Sequence, residues 1–290
     1  MGVNNRILGL VSLLVGITGL FFIARWRNRR KVTVVLYHDP SPEVFVKHLL
    51  LYKRWFTLIT LDDLVNAKNQ GTWDQLPRYS LVVTFDDGHL GNRALLPLFV
   101  EYNLKPTIYL CSGIVCTLRH FWFKEVGIDV NALKTVPNSV RLTSLAEKNG
   151  FSQTKAFEDR QALSEEDLRE MKGSVDLQGH TRFHPILPTC TPVELAEELG
   201  GSRFDLETLL DGPFRHFAYP NGDYNDDVVK ALVDAGYSSG RTVDMGWNGP
   251  DMDVFRIKSI SIKDFATPLE LMGQLTGLPD RLYGWFKRLK

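Results

Sequence analysis

The chain has 290 residues, with 34 basic and 34 acidic side chains and therefore no formal net charge. Its 44% hydrophobic and 23% charged residues are the proportions of an ordinary globular protein, which excludes disordered and collagen-like classes. The charge balance provides no global basic field, so nucleic acid is not an expected partner, and three cysteines without CxxC spacing (Cys111, Cys116, Cys190) support neither a full disulfide framework nor a zinc ribbon.

The first element along the chain is Ile7–Ala24, an apolar run without a charge or an amide. At about 1.5 Å per residue it is just long enough to cross a bilayer core as one helix. No A-x-A-like cleavage site follows, and Arg25, Arg27, Arg29, Arg30 and Lys31 come at once, which favours an anchor over a signal peptide. Residues 1–31 therefore read as a single transmembrane helix with a basic flank, placing the protein at a cytoplasmic membrane with lipid as a partner.

Beyond Lys31, β-rich runs alternate with helical spacing. Strands are expected at Val32–Tyr37, Phe56–Thr60, Ser80–Phe85, Thr107–Cys111, Ser174–Gln178, Phe214–Tyr219, Tyr237–Thr242 and Phe255–Ile262. Helices are expected at 42–55, 61–67, 92–102, 164–172, 192–210, 225–235 and 268–275. Continuous apolar strands alternating with helices indicate an α/β domain with a mostly parallel sheet, and the number of units suits a distorted (β/α) barrel over residues 32–265. The polar stretch 117–160, with Phe121, Trp122 and Phe123, breaks the rhythm and reads as an insertion, either a lid or substrate-binding element or a surface excursion. Residues 266–290 form a closing helix and a basic-aromatic tail.

Chemistry-bearing residues gather where these strands end. Thr84-Phe85-Asp86-Asp87-Gly88 follows an apolar strand, and two adjacent carboxylates there are costly unless something cationic neutralises them. His180-Thr181-Arg182-Phe183-His184 follows another strand. Two imidazoles four residues apart can converge on one ion, and with one carboxylate they make an Asp/His/His set that leaves positions open for water and substrate. Each motif alone is weak; together they are hard to dismiss. Arg215 to Gly222 (RHFAYPNG) runs from a strand into a turn, and Leu36-Tyr37-His38-Asp39 closes the first strand.

Over about residues 32–265 these pieces resemble the polysaccharide deacetylase family (carbohydrate esterase family four, the NodB-like fold). TFDDG and HTRFH match its first two motifs and FAYPNG a variant of the third. The family's Leu-x-His near the C-terminus is missing from Ile260–Asp264, while LYHD stands at the front. That arrangement resembles the circularly permuted subgroup that includes poly-N-acetylglucosamine deacetylases. The resemblance implies that Asp87, His180 and His184 hold one divalent ion, with zinc expected. It makes Asp86 the general base, His38 the general acid towards the leaving amine, and the Asn221 backbone N–H an oxyanion donor. Arg215 is the candidate for orienting Asp86, since the usual family arginine is replaced by Ala218. Tyr219 and Trp247 are candidate substrate contacts, with Asp244 beside Trp247 in a blurred fourth motif; Arg256 could support a carboxylate.

The implied reaction is metal-dependent hydrolytic N-deacetylation of an N-acetylated glycan, polymeric or lipid-linked. The alternatives are an O-acetyl esterase and an inactive sugar-binding module on the same fold. Flanking charges (Arg6 before the apolar run, five basic residues after it) place the catalytic domain on the cytoplasmic side by the positive-inside rule. Arg281, Tyr283, Trp285, Phe286, Lys287, Arg288 and Lys290 in the tail suit an anionic membrane surface.

Overall fold

A computed structural model describes residues 3–279 and Leu282, so the expected basic-aromatic tail lies outside the described residues, apart from Leu282. The strands are β1 (Thr33–Tyr37), β2 (Thr57–Leu58), β3 (Ser80–Phe85), β4 (Thr107–Leu110), β5 (Asp176–Gly179), β6 (His216–Ala218), β7 (Ser239–Met245) and β8 (Ile257–Ser261). The helices begin with α1 (Val3–Ile17), α2 (Leu20–Arg27), α3 (Pro42–Trp55), α4 (Leu61–Asn69), α5 (Leu96–Glu101) and α6 (Val130–Leu133). They continue with α7 (Asn138–Asn149), α8 (Glu165–Met171), α9 (Pro192–Ala196), α10 (Ser202–Leu210), α11 (Asp226–Asp234) and α12 (Pro268–Gln274). All eight expected strands are present, within a few residues of their expected bounds.

The chain divides into two compact units. The first comprises Met1–Phe85, Ala94–Thr107 and Val243–Lys290. Within it β2, β3, β1 and β8 lie side by side, and the ladders are parallel: Thr33 to Tyr37 pair with Leu81 to Phe85, and Val35 pairs with Ile260. Every residue of β1 and β3 is buried, which is why both read as unbroken apolar runs rather than as alternating ones. The helices start on sequence-encoded caps. Thr60 with Asp63 and Thr267 with Glu270 form reciprocal capping boxes, and Ser41 caps α3 ahead of Pro42.

The second unit comprises Asp86–Arg93 and Ile108–Thr242. Its strands run β4, β5, β6, β7, with β5–β6 and β6–β7 parallel. Capping boxes at Ser164 with Asp167 and Thr191 with Glu194 open α8 and α9. The stretch expected as one helix over 192–210 is α9 and α10 joined through a π-helical turn at Glu197–Gly201. The insertion has structure of its own: α6 and α7 enclose an apolar cluster of Trp122, Leu133, Leu145, Phe151 and Ile186.

The N-terminal segment departs from the expected single transmembrane helix. It breaks after Ile17 into α1 and α2, bent by 85°, and among the described residues no single helix is long and apolar enough to cross a membrane. Thr18 turns its hydroxyl back onto the Val15 carbonyl, and Gly19 takes a left-handed φ of 72° that a helix interior does not allow. α1 lies against α12 at a close approach, where a Cβ on Gly16 would collide with the Leu269 carbonyl. Its opposite side leaves Leu10, Leu14 and Ile17 exposed.

Candidate metal centre

The residues of TFDDG and HTRFH that were singled out for chemistry fall in the second unit. Asp86 and Asp87 follow β3 directly, and His180 follows β5. The local backbone is bent in the same way at each turn: Asp87, Thr181, His184 and Asn221 all have left-handed φ angles, of 72°, 68°, 54° and 56°. Non-glycine residues in that region are each strained by about 1–3 kcal/mol and persist only where the surroundings hold them. Here they are held. The Asp87 carbonyl accepts from Cys111, the His184 N–H donates to Thr181 Oγ1 at 2.9 Å, and the Thr181 hydroxyl in turn binds the His180 carbonyl.

These bends bring Asp87, His180 and His184 together, all buried, with one ligand atom from each lying within 4.8 Å of the others. Asp87 Oδ1 is 3.3 Å from His180 Nε2 and 3.4 Å from His184 Nε2. The His180 ring is fixed by its other nitrogen, since Nδ1 is 2.7 Å from the Ala218 carbonyl and must donate to it. That tautomer points the lone pair of Nε2 at the cluster. Asp87 Oδ1 and His180 Nε2 are buried and have no hydrogen-bond partner among the described residues. Burial pushes His184 down to about 3, against the pull of the Asp87 carboxylate. Burial opposes ionisation of Asp87 as well, yet His184, His180 and His89 around it hold the carboxyl well below the usual range. A carboxylate and two imidazoles, converging with orphaned atoms, are the donor set a divalent ion requires.

The loop between the histidines is tied down on both sides. Glu198 accepts the backbone N–H groups of Arg182 and Phe183 at 2.8 and 2.9 Å, and Arg182 makes a forked pair with Asp205 at 2.8 and 2.9 Å. Burial pushes Glu198 up to about 7 against those two hydrogen bonds. It reaches the loop from the π-helical turn, a distortion that recurs at functional sites.

Asp86 lies beside the triad, with Oδ2 4.0 Å from His180 Nε2. Its Oδ1 is paired with the guanidinium of Arg241, fully buried on β7. The sequence offered Arg215 for orienting Asp86; Arg215 precedes β6, and its backbone N–H donates to the Gln178 side chain. Arg241 carries no motif signature, sitting inside a strand rather than at a turn, and was missed.

The remaining expected residues have the following places. Tyr219 is fully buried, stacked on Tyr224 and edge-on to Phe217, which is a core position. Asn221 is exposed, and its Oδ1 accepts from Lys134, the residue that follows α6, at 2.5 Å. His38 belongs to the first unit, in a turn whose N–H groups at His38 and Asp39 donate to the two oxygens of Asp264 at 3.0 and 3.1 Å. Trp247, also of the first unit, lines a cavity with residues that include Leu20, Ile23 and Ala24 of α2 and Leu278 beyond α12. Arg256 pairs with Asp253 three residues away, a local surface contact.

Comparison with known proteins agrees with this arrangement. The family model for polysaccharide deacetylases matches residues 74–240, a stretch that contains both carboxylates and both histidines. YxkH of Bacillus subtilis (strain 168), named as a polysaccharide deacetylase, is 22% identical over 241 residues, 80% of this chain and 71% of its own. Among solved structures, the Streptococcus pyogenes deacetylase PplD, in complex with acetate, superposes with a TM-score of 0.62 at 19% identity, covering 84% of this chain and 98% of its own. A de-N-acetylase from Aggregatibacter actinomycetemcomitans gives 0.59 at 15% identity, covering 84% and 99%. At these identities the structural likeness shows a shared fold. The family match, which spans more than half of the chain and takes in the buried Asp/His/His cluster, shows that the protein belongs to the polysaccharide deacetylase family.

Proposed function

We propose that this protein is a metal-dependent hydrolase that removes the acetyl group from an N-acetylated sugar. The observation that carries the reading is the convergence of Asp87, His180 and His184, with orphaned ligand atoms, beside the buried Asp86–Arg241 pair. A divalent ion held by these three residues, with zinc the expected one, supplies Lewis-acid chemistry, polarising an acetyl carbonyl and acidifying water. Asp86 then takes the proton of the attacking water as general base. Arg241, paired with Asp86 Oδ1, aims the carboxylate, and the Asn221 backbone N–H is assigned to the developing oxyanion. Pro220 cannot serve there, having no N–H.

Cleaving an amide also requires a proton on the leaving nitrogen, and the sequence resemblance assigns that step to His38. The name of the de-N-acetylase with the same fold supports an amide over an ester substrate. The test is acetate release from N-acetylglucosamine oligomers and from an activated acetyl ester, with wild type and His38→Ala. The proposal expects release from both by wild type. It expects at least a tenfold larger loss on the amide than on the ester in the variant, because only the amide needs the proton. Equal losses would remove His38 from the reaction, and no acetate from any N-acetylated glycan would remove the amide substrate.

Membrane attachment belongs to the same proposal. Leu10, Leu14, Ile17, Phe22, Ile23 and Trp26 are exposed on α1 and α2, next to the basic run Arg25–Lys31, a combination suited to an anionic bilayer. The basic run suits the anionic cytoplasmic leaflet, which assigns the catalytic residues to that side, towards a lipid-linked glycan. An alkaline phosphatase fusion after Lys290 that is active in cells would reverse that assignment.

A further inference from the structure

His89 follows TFDDG directly, is 3% exposed, and takes no step in the proposed reaction. Its Nε2 is 3.0 Å from Asp87 Oδ2, and its Nδ1 is 3.0 Å from Nζ of Lys124. A carboxylate oxygen only accepts and an ammonium only donates. The imidazole must therefore accept at Nδ1 and donate from Nε2, so the two neighbours select one tautomer. Asp87 is then held through Oδ2, and Oδ1, the oxygen with no hydrogen-bond partner among the described residues, faces His180 and His184.

The insertion supplies this arrangement. Phe121 packs edge-on against the His89 ring at 5.0 Å, Trp122 Nε1 donates to the His184 carbonyl at 2.8 Å, and the Phe123 ring lies 4.7 Å from that of His184. Trp122 is itself anchored in the apolar cluster of the insertion. One four-residue stretch, 121–124, thus reaches the carboxylate ligand through His89 and a histidine ligand directly.

We propose that His89 is a positioning residue that pins Asp87 by one oxygen so that only the other meets the ion, and that Lys124 of the insertion fixes the tautomer that does so. An unpinned carboxylate can turn and take two coordination positions; a pinned one leaves them for water and substrate. The inference rests on the metal reading of Asp87, His180 and His184.

The test uses the full chain and cobalt(II), reading affinity by competition with a coloured chelator and coordination by the visible absorption of the bound ion. Metal-free thermal unfolding serves as the check on folding. His89→Leu is expected to weaken cobalt binding by about 10–100-fold and to alter the spectrum, the usual effect of losing the partner of a ligand. His89→Gln, whose amide N–H can reach Oδ2, is expected to recover most of both. Lys124→Met, at the exposed end of the chain of contacts, is expected to fold normally and lose a smaller part of the affinity. His184→Ala should retain no ion.

Wild-type affinity and spectrum in both His89→Leu and Lys124→Met would overturn the proposal while His184→Ala still upheld the metal reading. Loss in His89→Leu as complete as in His184→Ala, with no recovery in His89→Gln, would make His89 a ligand and also overturn it. Unchanged binding in His184→Ala would instead defeat the metal reading itself. If His89→Leu does not fold, His89→Gln and Lys124→Met carry the test.

Discussion

Two buried polar clusters, one in each unit, make an instructive pair. In the first unit Tyr37 OH lies 3.0 Å from His48 Nδ1 and 2.5 Å from Tyr52 OH, and His48 Nε2 lies 2.7 Å from the Ala266 carbonyl. Both nitrogens of His48 are engaged. Burial pushes its imidazole below the ordinary value and raises both tyrosines well above theirs. In the second unit Asp87, His180 and His184 are equally buried, but one nitrogen of His180 and one oxygen of Asp87 have no partner among the described residues. Burial of a histidine is therefore not what marks a site. A closed network is part of the core, whereas unpaired atoms aimed at one another indicate that something else completes the set.

That contrast gives the largest predicted effects. Asp86→Asn should keep the ion and lower kcat by about 10²-fold or more, the usual scale for a general base, while Asp87→Asn should chiefly weaken metal affinity. Metal content and single-substrate kinetics on the two variants separate them, and reversed phenotypes would mean that the roles are exchanged. Arg241→Met leaves the Asp86 carboxylate buried without its cation, a loss of about 3–5 kcal/mol for such pairs, readable in denaturant unfolding.

His48→Phe tests the other half. It leaves Tyr37 paired with Tyr52 and strands the Ala266 carbonyl, which costs about 1–3 kcal/mol. Metal affinity should be unchanged; a parallel loss of metal would dissolve the distinction between the two clusters.

The smallest effect concerns Glu198, whose folded value near 7 stands above the ordinary 4.5. The folded state holds a proton there that the unfolded chain releases, so the contribution is complete below pH 4.5 and is lost as pH rises through 7. The melting temperature of metal-free wild type should fall relative to that of Glu198→Gln across this window and stay level above it. A difference that does not vary with pH would contradict the assignment.

Much of this was legible in the sequence, for physical reasons. Parallel strands buried on both faces leave continuous apolar runs, so β1 and β3 could be placed to within a residue. Asp87, His180 and His184 announced themselves by residue type and by position after such runs. What stayed hidden depends on contacts rather than on local pattern. Arg241 is an ordinary strand residue until the fold sets it against Asp86. α6 and α7 lie in a polar stretch, and only their shared apolar cluster shows the insertion to be a packed element. The break at Gly19 was masked because glycine is common in transmembrane helices, so nothing in the apolar run distinguished one helix from two at 85°.

On the proposed reading, the unpaired atoms of the second unit hold a catalytic ion. The direct measurement is elemental analysis of the purified protein together with acetate release from an N-acetylglucosamine oligomer, before chelation, after it, and after zinc is restored. One divalent ion per chain is expected in wild type and none in His184→Ala, with acetate release that disappears and returns with the ion. Undiminished acetate release from a preparation shown to be free of metal would contradict that reading.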